Sequence, residues 1–326
     1  MTARLVSGSG AAALASAVAA ELGTELTLCE IERFPDGELR PVVAEVRGDD
    51  VFVFRSTGPP VNEHVVELLL LLDACRRAGA DRITAVVPYF GYARQDRRSN
   101  PGEAVGSRVL ADAVASSGAD RLLVVDPHTA ALEAVSSIPC DMLTAARVVA
   151  DAIAPSIADD AVIVAPDLGA VKLAERYASL LRRRPVAVVR KTRVSGEEVQ
   201  AQELMGDVRG RQAVIVDDMI STGGTIEAAM QVLESHDAAS GPTIVATHGP
   251  LVAGAMERIA RLGPSGVYLT DTLPVEEAEK LRVCTVSALL ADAVDRLTHD
   301  RPLDDLLFPV SPGPTSEKEQ RGRLER

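Results

Sequence analysis

A chain of 326 residues with 47% hydrophobic side chains is long enough for two domains and can form an ample core. Its formal net charge of −13 argues against a nucleic-acid-binding or anionic-membrane surface, so any phosphate site has to be built locally from a few cations and backbone dipoles. The four cysteines lie far apart without a Cys-x-x-Cys pair, which indicates a reducing cytoplasm rather than a disulfide framework or a zinc site.

Apolar runs alternate with amphipathic stretches along the chain. The Ala-rich stretch Ala11–Ala20 predicts a first helix, since it lacks the basic leader of a signal peptide, and no stretch is apolar enough to span a bilayer. Further helices are predicted over Glu63–Arg77 and Val171–Leu181. The predicted strands are Val51–Phe54, Ile83–Val87, Leu122–Val125, Ala161–Ala165, Val186–Val189, Ala213–Val216, Thr243–Ala246 and Gly266–Leu269. This alternation favours an α/β protein whose parallel sheets are covered by helices.

We expect a boundary near residues 142–147, because several strands precede it and a fresh series follows. The predicted domains are residues 1–145 and 146–310. The remainder, residues 311–326, begins with Ser311-Pro-Gly-Pro and is then almost wholly charged or polar, which predicts a disordered tail. In open α/β sheets ligands bind at the carboxyl ends of the strands, so the residues that follow each strand are the site candidates.

The first candidate is the segment Phe34-Pro35-Asp36-Gly37-Glu38. Its aromatic ring and two carboxylates suit the face and the amino group of an adenine. Pro-Asp-Gly is also a strong turn signal, and taken alone the segment favours an ordinary turn.

A second candidate, Pro88–Arg98, follows a predicted strand directly and contains three aromatic residues, Gln95 and the arginines Arg94, Arg97 and Arg98. A nucleotide needs a flat apolar surface, hydrogen bonds to its base and counter-charges for its phosphates. An ATP-sized ligand would use all three of these features. The segment therefore favours a nucleotide-binding loop over a solvated basic loop.

Two residues at strand ends are candidate metal ligands. His128 follows the predicted strand that ends at Val125, and Asp167 follows the one that ends at Ala165. Together they could share Mg²⁺ with a nucleotide's phosphates, although Mg²⁺ prefers oxygen ligands and a lone histidine is often structural.

The strand Val186–Val189 leads into the cations Arg190, Lys191 and Arg193 and then into a polar stretch from Ser195 to Gly206. Cations at the root of a mobile hydrophilic segment suit a phosphoryl-transfer lid that brings charge to the phosphates while excluding water. A surface hairpin would give the same pattern.

The most informative segment runs from Val214 to Thr225, where an apolar strand ends in Asp217-Asp218 and a Gly-rich turn follows. Small residues let backbone N–H groups surround a phosphate at the start of the next helix, while the carboxylates can hold ribose hydroxyls. The alternative is a tight turn whose aspartates cap the helix.

Together these motifs resemble those of the ribose-phosphate diphosphokinases, also called phosphoribosyl pyrophosphate synthetases. The resemblance runs from about residue 5 to Phe308, and the motifs fall in the family's order. They are Phe34–Glu38, Asn62 with Glu67-Leu68-Leu69, Pro88–Arg97, Asp126-Pro127-His128, Pro166-Asp167, Lys191-Thr192-Arg193, Asp217–Thr225 and Thr247-His248-Gly249. The resemblance implies two phosphoribosyltransferase-like domains, each a mainly parallel sheet flanked by helices. It also implies transfer of the β,γ-diphosphoryl group of Mg-ATP to the 1-hydroxyl of ribose 5-phosphate, giving phosphoribosyl pyrophosphate and AMP.

The resemblance implies a role for each matching residue. The adenine would be held by Phe34, Asp36 and Glu38 from a neighbouring subunit of a homo-oligomer, and Arg94, Gln95 and Arg97 would contact the base and phosphates. His128 and Asp167 would bind Mg²⁺, while Lys191 and Arg193 would stabilise the transferring group, Arg193 also contacting substrate. The ribose hydroxyls would be held by Asp217 and Asp218, and the 5-phosphate by Ser221, Thr222, Gly223, Gly224 and Thr225.

Three segments depart from the family's pattern. Residues Glu103–Arg108 stand where commonly studied members have Pro-Ile-Ser-Ala, and no Gln-Gly-Phe-Phe-like stretch follows His128. These segments leave activation by phosphate, inhibition by ADP and the number of subunits open. Ser221 replaces a common aspartate, but serine still offers a hydroxyl to phosphate, so we expect activity to survive.

Two other functions remain open from the sequence. A phosphoribosyltransferase would share the Asp217–Thr225 segment but would have no use for the nucleotide-like loop or for a second α/β half. A catalytically silent regulatory homologue would be free to lose Lys191, Arg193 and His128, all of which are present.

Overall fold

The computed structural model describes residues 3–194, 199–252, 254–276 and 278–308, with only the backbone described for 191–194 and 199–202. The first half contains β1 (Ala3–Ser7), α1 (Ala12–Glu21), β2 (Cys29–Arg33), β3 (Leu39–Val43), β4 (Asp50–Phe54), α2 (Val61–Ala78), β5 (Arg82–Val87), α3 (Gly106–Ser116), β6 (Arg121–Val125), α4 (Ala131–Val135), β7 (Cys140–Leu143) and α5 (Ala146–Ile153). The second half contains β8 (Val162–Ala165), α6 (Val171–Leu180), β9 (Val186–Val194), β10 (Val199–Met205), β11 (Ala213–Met219), α7 (Gly224–Ser235), β12 (Thr243–His248), α8 (Ala255–Arg261), β13 (Gly266–Thr270), β14 (Leu281–Cys284) and α9 (Ser287–Thr298).

These elements form two main sheets. The first is parallel throughout, in the order β1-β4-β5-β6-β7. The second has the order β10-β9-β8-β11-β12-β13-β14 and is parallel except for the β9–β10 pair. Both sheets are flanked by helices on a buried apolar core, which confirms the predicted α/β fold.

All eight predicted strands are present, because runs of Val, Ile, Leu and Ala that are buried on both faces are typical of parallel sheets. The three predicted helices also form, with small shifts at their ends. Within the described residues, no helix is long and apolar enough to cross a membrane. The predicted tail lies outside the described residues.

A two-stranded antiparallel hairpin, β2–β3, stands apart from both sheets and packs against α2. Its strands carry many charged residues, so their sequence lacks the apolar signal of the other strands. The hairpin places Phe34–Glu38 at its tip.

The final helix returns to the first sheet. Residues of α9, including Leu290 and Val294, share a core with Leu14 and Val18 of α1. The chain after α9 then bonds to the first half, with the Thr144 N–H donating to the carbonyl of Leu306 at 3.0 Å. The domain limits near residue 145 remain a prediction. The C-terminal segment follows the second sheet in the chain but packs on the first half.

A buried polar junction joins the carboxyl ends of the two sheets. The Asp126 carboxylate, just after β6, accepts hydrogen bonds from the Ala145 N–H and from Oγ1 of Thr247 in β12, both at 2.9 Å. The imidazole Nε2 of His248 lies 3.0 Å from the carbonyl of Val125 and 3.1 Å from that of Asp126. Since carbonyls only accept, Nε2 carries the proton and donates to both.

A buried ion pair joins Glu67 of α2 to Arg55, the residue that follows β4. Arg55 and Glu67 are 2% and 1% exposed, and their nearest N and O atoms lie 3.2 Å apart. Glu67 also accepts hydrogen bonds from the N–H and the hydroxyl of Ser9, which ties the β1–α1 loop to α2. Removing one partner of such a pair leaves an uncompensated buried charge.

We predict that Glu67→Gln lowers the free energy of unfolding by roughly 3–5 kcal/mol, because the Arg55 charge then has no counter-charge. The matched control is Glu63→Gln on the same helix, whose pair with Arg33 is exposed and should contribute at most about 1 kcal/mol. Urea unfolding of the two variants measures the difference, and equal losses would contradict the account.

Candidate active site

A cleft of about 1040 Å³ lies where the strands of both halves end. This volume is at the upper end of the roughly 300–1,000 Å³ that ligand pockets enclose. The predicted site residues that line it are Arg94, His128, Asp167, Asp217, Asp218, Ser221, Thr222, Gly223, Gly224 and Thr225. The cleft thus joins residues from both halves of the sequence.

The turn after β11 forms one wall of the cleft and leads into α7. Gly223 has a φ of +77°, a conformation that strains other residues, and it directly precedes the first residue of α7. The turn is tied to the end of β12, since the Ile220 N–H donates to the carbonyl of His248 at 2.9 Å. The turn and the first residues of α7 line the cleft, and the unpaired N–H groups of a helix N-terminus suit an anion such as phosphate.

The two aspartates at the end of β11 differ in protonation. Burial, together with the negative charge of Asp218, raises the pKa of Asp217 to about 8. Burial also acts to raise the pKa of Asp218, but the hydrogen bond and charge of His128 outweigh it and lower that pKa. One carboxyl thus retains a proton near neutral pH, so the pair can both donate and accept hydrogen bonds.

His128 connects the two halves across the cleft. Its Nδ1 lies 2.6 Å from Oδ2 of Asp218, ninety positions later in the chain. The hydrogen bond with Asp218 raises the pKa of His128, while partial burial opposes this shift. Because Asp218 occupies Nδ1, the nitrogen that remains for a ligand is Nε2.

Asp167 begins the turn that leads into α6. Its Oδ1 accepts hydrogen bonds from the N–H groups of Gly169 and Ala170, at 2.8 and 3.1 Å. These bonds hold the carboxylate at the amino end of the helix, and its Oδ2 makes no hydrogen bond with other described residues. Asp167 therefore has one oxygen available toward the cleft.

The Tyr89–Arg97 loop enters the cleft through Arg94. Gln95 and Arg97 do not line the cleft of the described chain: Gln95 lies against Gly106, and Arg97 is paired with Asp96. All three side chains are exposed. Their assignment to ATP remains a prediction.

The tip of the β2–β3 hairpin does not line this cleft either. The Phe34 ring lies under the guanidinium of Arg40 at 5.4 Å, and the Asp36 carboxylate accepts a hydrogen bond from the N–H of Glu38 at 3.1 Å. The tip is largely exposed, and its contact with a nucleotide remains a prediction.

Lys191 and Arg193 lie in β9, which pairs antiparallel with β10. Their partners in register are Gln202 and Gln200. The side chains of Lys191 and Arg193 are outside the described part of the chain, as are residues 195–198 between the strands. The backbone forms the hairpin that the sequence left as an alternative, and closure over the cleft remains a prediction.

Other residues line the cleft without having been assigned a role from the sequence. They include Asp126 and Thr247, both parts of the buried junction, and Arg176 of α6. Asp126 and Thr247 belong to motifs seen in the sequence, so their positions at strand ends could have identified them. Arg176 lies in mid-helix, where no sequence signal sets it apart.

Comparison with known protein families gives two matches in sequence order. Residues 3–118 match the N-terminal domain of ribose phosphate pyrophosphokinase. Residues 141–250 match the phosphoribosyl transferase domain.

Full-length relatives extend these matches over nearly the whole chain. A ribose-phosphate pyrophosphokinase of Nostoc sp. is 36% identical over 93% of this chain and 93% of its own length. That of Helicobacter hepaticus is 34% identical over 94% of this chain and 99% of its own length. The crystal structure of phosphoribosylpyrophosphate synthetase from Mycobacterium smegmatis superposes with a TM-score of 0.86 at 34% identity, covering 92% of this chain and all of that one. The resemblance found in the motifs is confirmed, and the chain belongs to the ribose-phosphate pyrophosphokinase family of enzymes.

Proposed function

We propose that this enzyme transfers the β,γ-diphosphoryl group of Mg-ATP to O1 of ribose 5-phosphate, giving phosphoribosyl pyrophosphate and AMP. One observation carries the proposal beyond family membership: the phosphate-binding turn after β11 and Arg94 of the nucleotide loop line the same cleft. An acceptor and a donor can therefore meet without a large movement of either half.

The acceptor is held by the end of β11 and the turn that follows. The backbone N–H groups and hydroxyls of Ser221–Thr225 bind the 5-phosphate. Asp217 and Asp218 hold the ribose hydroxyls, with the proton on Asp217 supplying a donor and Asp218 an acceptor. This grip fixes the sugar so that its 1-hydroxyl faces the donor phosphates.

The residues present fit a magnesium ion held mainly by its substrate. Within the described residues no group of three or more His, Cys, Asp or Glu side chains forms a metal cage. His128 and Asp167 each retain one free ligand atom at the cleft, and Mg²⁺ is commonly held by one or two protein ligands together with phosphates and waters. His128 and Asp167 would hold the ion at the junction of the two halves, where it would neutralise charge on the nucleotide's phosphates.

Charge that develops on the transferring group is stabilised by Lys191 and Arg193, which we assign as the catalytic residues, with Arg193 also contacting substrate. Both lie on the β9 arm of the hairpin, where a small movement of the two strands can deliver cations to the phosphates. Such transfer needs alignment and electrostatics more than a covalent nucleophile.

The base and phosphates of the nucleotide are contacted by Arg94, Gln95 and Arg97, and its adenine is held by the hairpin tip with Phe34, Asp36 and Glu38. Since that tip is exposed and outside the cleft of its own chain, we propose that it completes the ATP site of a second copy in a cytoplasmic homo-oligomer. The partners proposed are ATP and ribose 5-phosphate, with no nucleic acid or membrane.

We predict that purified protein given Mg²⁺, ATP and ribose 5-phosphate forms AMP and phosphoribosyl pyrophosphate in equal amounts. Chromatographic separation of nucleotides and sugar phosphates measures the ratio. ADP as the nucleotide product, or no turnover, would overturn the proposed transfer, and consumption of phosphoribosyl pyrophosphate with a free base would indicate a phosphoribosyltransferase instead.

We predict that His128 titrates above its usual value of about 6.5 in metal-free protein, because its pairing with Asp218 favours the charged ring. The ion pair between His128 and Asp218 is formed below that raised pKa and is lost as the pH increases through it, because the ring then loses its proton. In Asp218→Asn the midpoint should fall, since the counter-charge is gone.

Proton NMR of the imidazole measures both midpoints, and a His128→Gln variant assigns the signal. Asp295→Asn, which removes an exposed carboxylate of α9, is the matched control and should leave the midpoint of His128 unchanged. A midpoint that is the same with and without Asp218 would contradict the assigned contact.

A further inference from the structure

Three buried polar atoms lack hydrogen-bond partners at or beside the cleft wall, where Asp126 and Arg176 line the cleft and Tyr177 is the next residue of α6. They are Oδ1 of Asp126, Nη1 of Arg176 and the hydroxyl of Tyr177, none of which bonds to another described residue. Asp126 acts electrostatically on both other residues, so the three form one cluster. Buried polar groups are normally paired, and a cluster of unpaired ones indicates that something else completes it.

Arg176 is the member that reaches the ligand space. It lies on α6, is half-buried and lines the cleft. Burial lowers the pKa of Arg176 while the negative charge of Asp126 opposes this, yet a guanidinium remains charged at any physiological pH. Nη1 of Arg176 is buried, but Nε and Nη2 of the same guanidinium make no hydrogen bond with a described residue and are not enclosed, so these two nitrogens are available for an anion in the cleft.

The negative charge of Asp126 acts on this cation from the buried junction. Its side chain is 2% exposed, and its Oδ2 is already bound by the Ala145 N–H and the Thr247 hydroxyl. The position of the remaining oxygen is therefore fixed by the junction of the two sheets. One water molecule between Oδ1 of Asp126, Nη1 of Arg176 and the Tyr177 hydroxyl would satisfy all three, since a buried water needs two to four polar partners.

We propose that Arg176 binds the diphosphoryl group in the cleft. The proposal rests on the diphosphoryl transfer proposed above and adds a cation from α6 to those of β9 and the nucleotide loop. A guanidinium suits this role because its planar set of donors matches phosphate oxygens.

The position of Arg176 favours the diphosphoryl group over the 5-phosphate. Asp126 lies two residues before His128, and α6 begins just after the turn of Asp167, so Arg176 belongs to the side of the cleft that holds the candidate metal ligands. The 5-phosphate turn follows a different strand, β11, and has its own helix N-terminus.

The test is calorimetric binding of inorganic pyrophosphate with Mg²⁺, and separately of ribose 5-phosphate, to full-length wild-type protein and Arg176→Met. We expect the Kd for pyrophosphate to rise at least about tenfold, because a hydrogen bond to a charged group is lost. The Kd for ribose 5-phosphate should stay within about twofold of wild type. Arg176→Lys should recover part of the loss, since it retains the charge but not the fork of donors.

Arg147→Met is the matched control, because Arg147 lies on the neighbouring helix α5 and pairs at the surface with Asp151. It should leave both affinities unchanged. Unchanged pyrophosphate affinity in Arg176→Met would overturn the assignment of Arg176. So would a loss of affinity that is as large for ribose 5-phosphate as for pyrophosphate in both Arg176→Met and Arg176→Lys. Formation of AMP by the wild type is measured in parallel, so failure of the Arg176 assignment can be distinguished from failure of the proposed transfer.

Discussion

The active-site cleft depends on the buried hydrogen bonds that join the carboxyl end of β6 to that of β12. The Asp126 carboxylate and the His248 ring are almost fully enclosed, and burial lowers the pKa of His248, so its ring is neutral. A neutral ring donates from Nε2 to two carbonyls of the first half while Nδ1, 2.9 Å from Oγ1 of Thr272, accepts from that hydroxyl. Such groups are costly to leave unpaired, so they hold the strand ends of both sheets against each other.

This constraint explains how an acidic protein builds a site for two highly charged substrates. With a net charge of −13, the protein repels phosphates at long range, so the cleft has to supply its own positive potential. It does so with helix N-termini and with a few arginines. Burial and the negative charge of Asp218 raise the pKa of Asp217 to about 8, so Asp217 keeps its proton near neutral pH and limits the negative charge that faces the substrates.

Much of this structure could be predicted from the sequence, because its signals are local. Buried parallel strands are continuous apolar runs, and the residues that follow them, such as His128 and Asp217, lie in the cleft. The contact between His128 and Asp218 could not be predicted, since it joins two halves whose arrangement depends on the buried junction. Arg176 was missed because arginines occur on several helices of this chain, and only packing decides which of them reaches the cleft. The β2–β3 hairpin was missed because its charged strands lack an apolar pattern.

The central claim is that donor and acceptor occupy one cleft and share its metal. The most direct measurement is phosphorus NMR relaxation of ribose 5-phosphate bound to the enzyme together with a non-hydrolysable ATP analogue and Mn²⁺ in place of Mg²⁺. The account predicts strong paramagnetic relaxation of the 5-phosphate signal that requires both the protein and the analogue. Relaxation no greater than that of the sugar phosphate with Mn²⁺ alone would place the two ligands in separate sites and contradict the account.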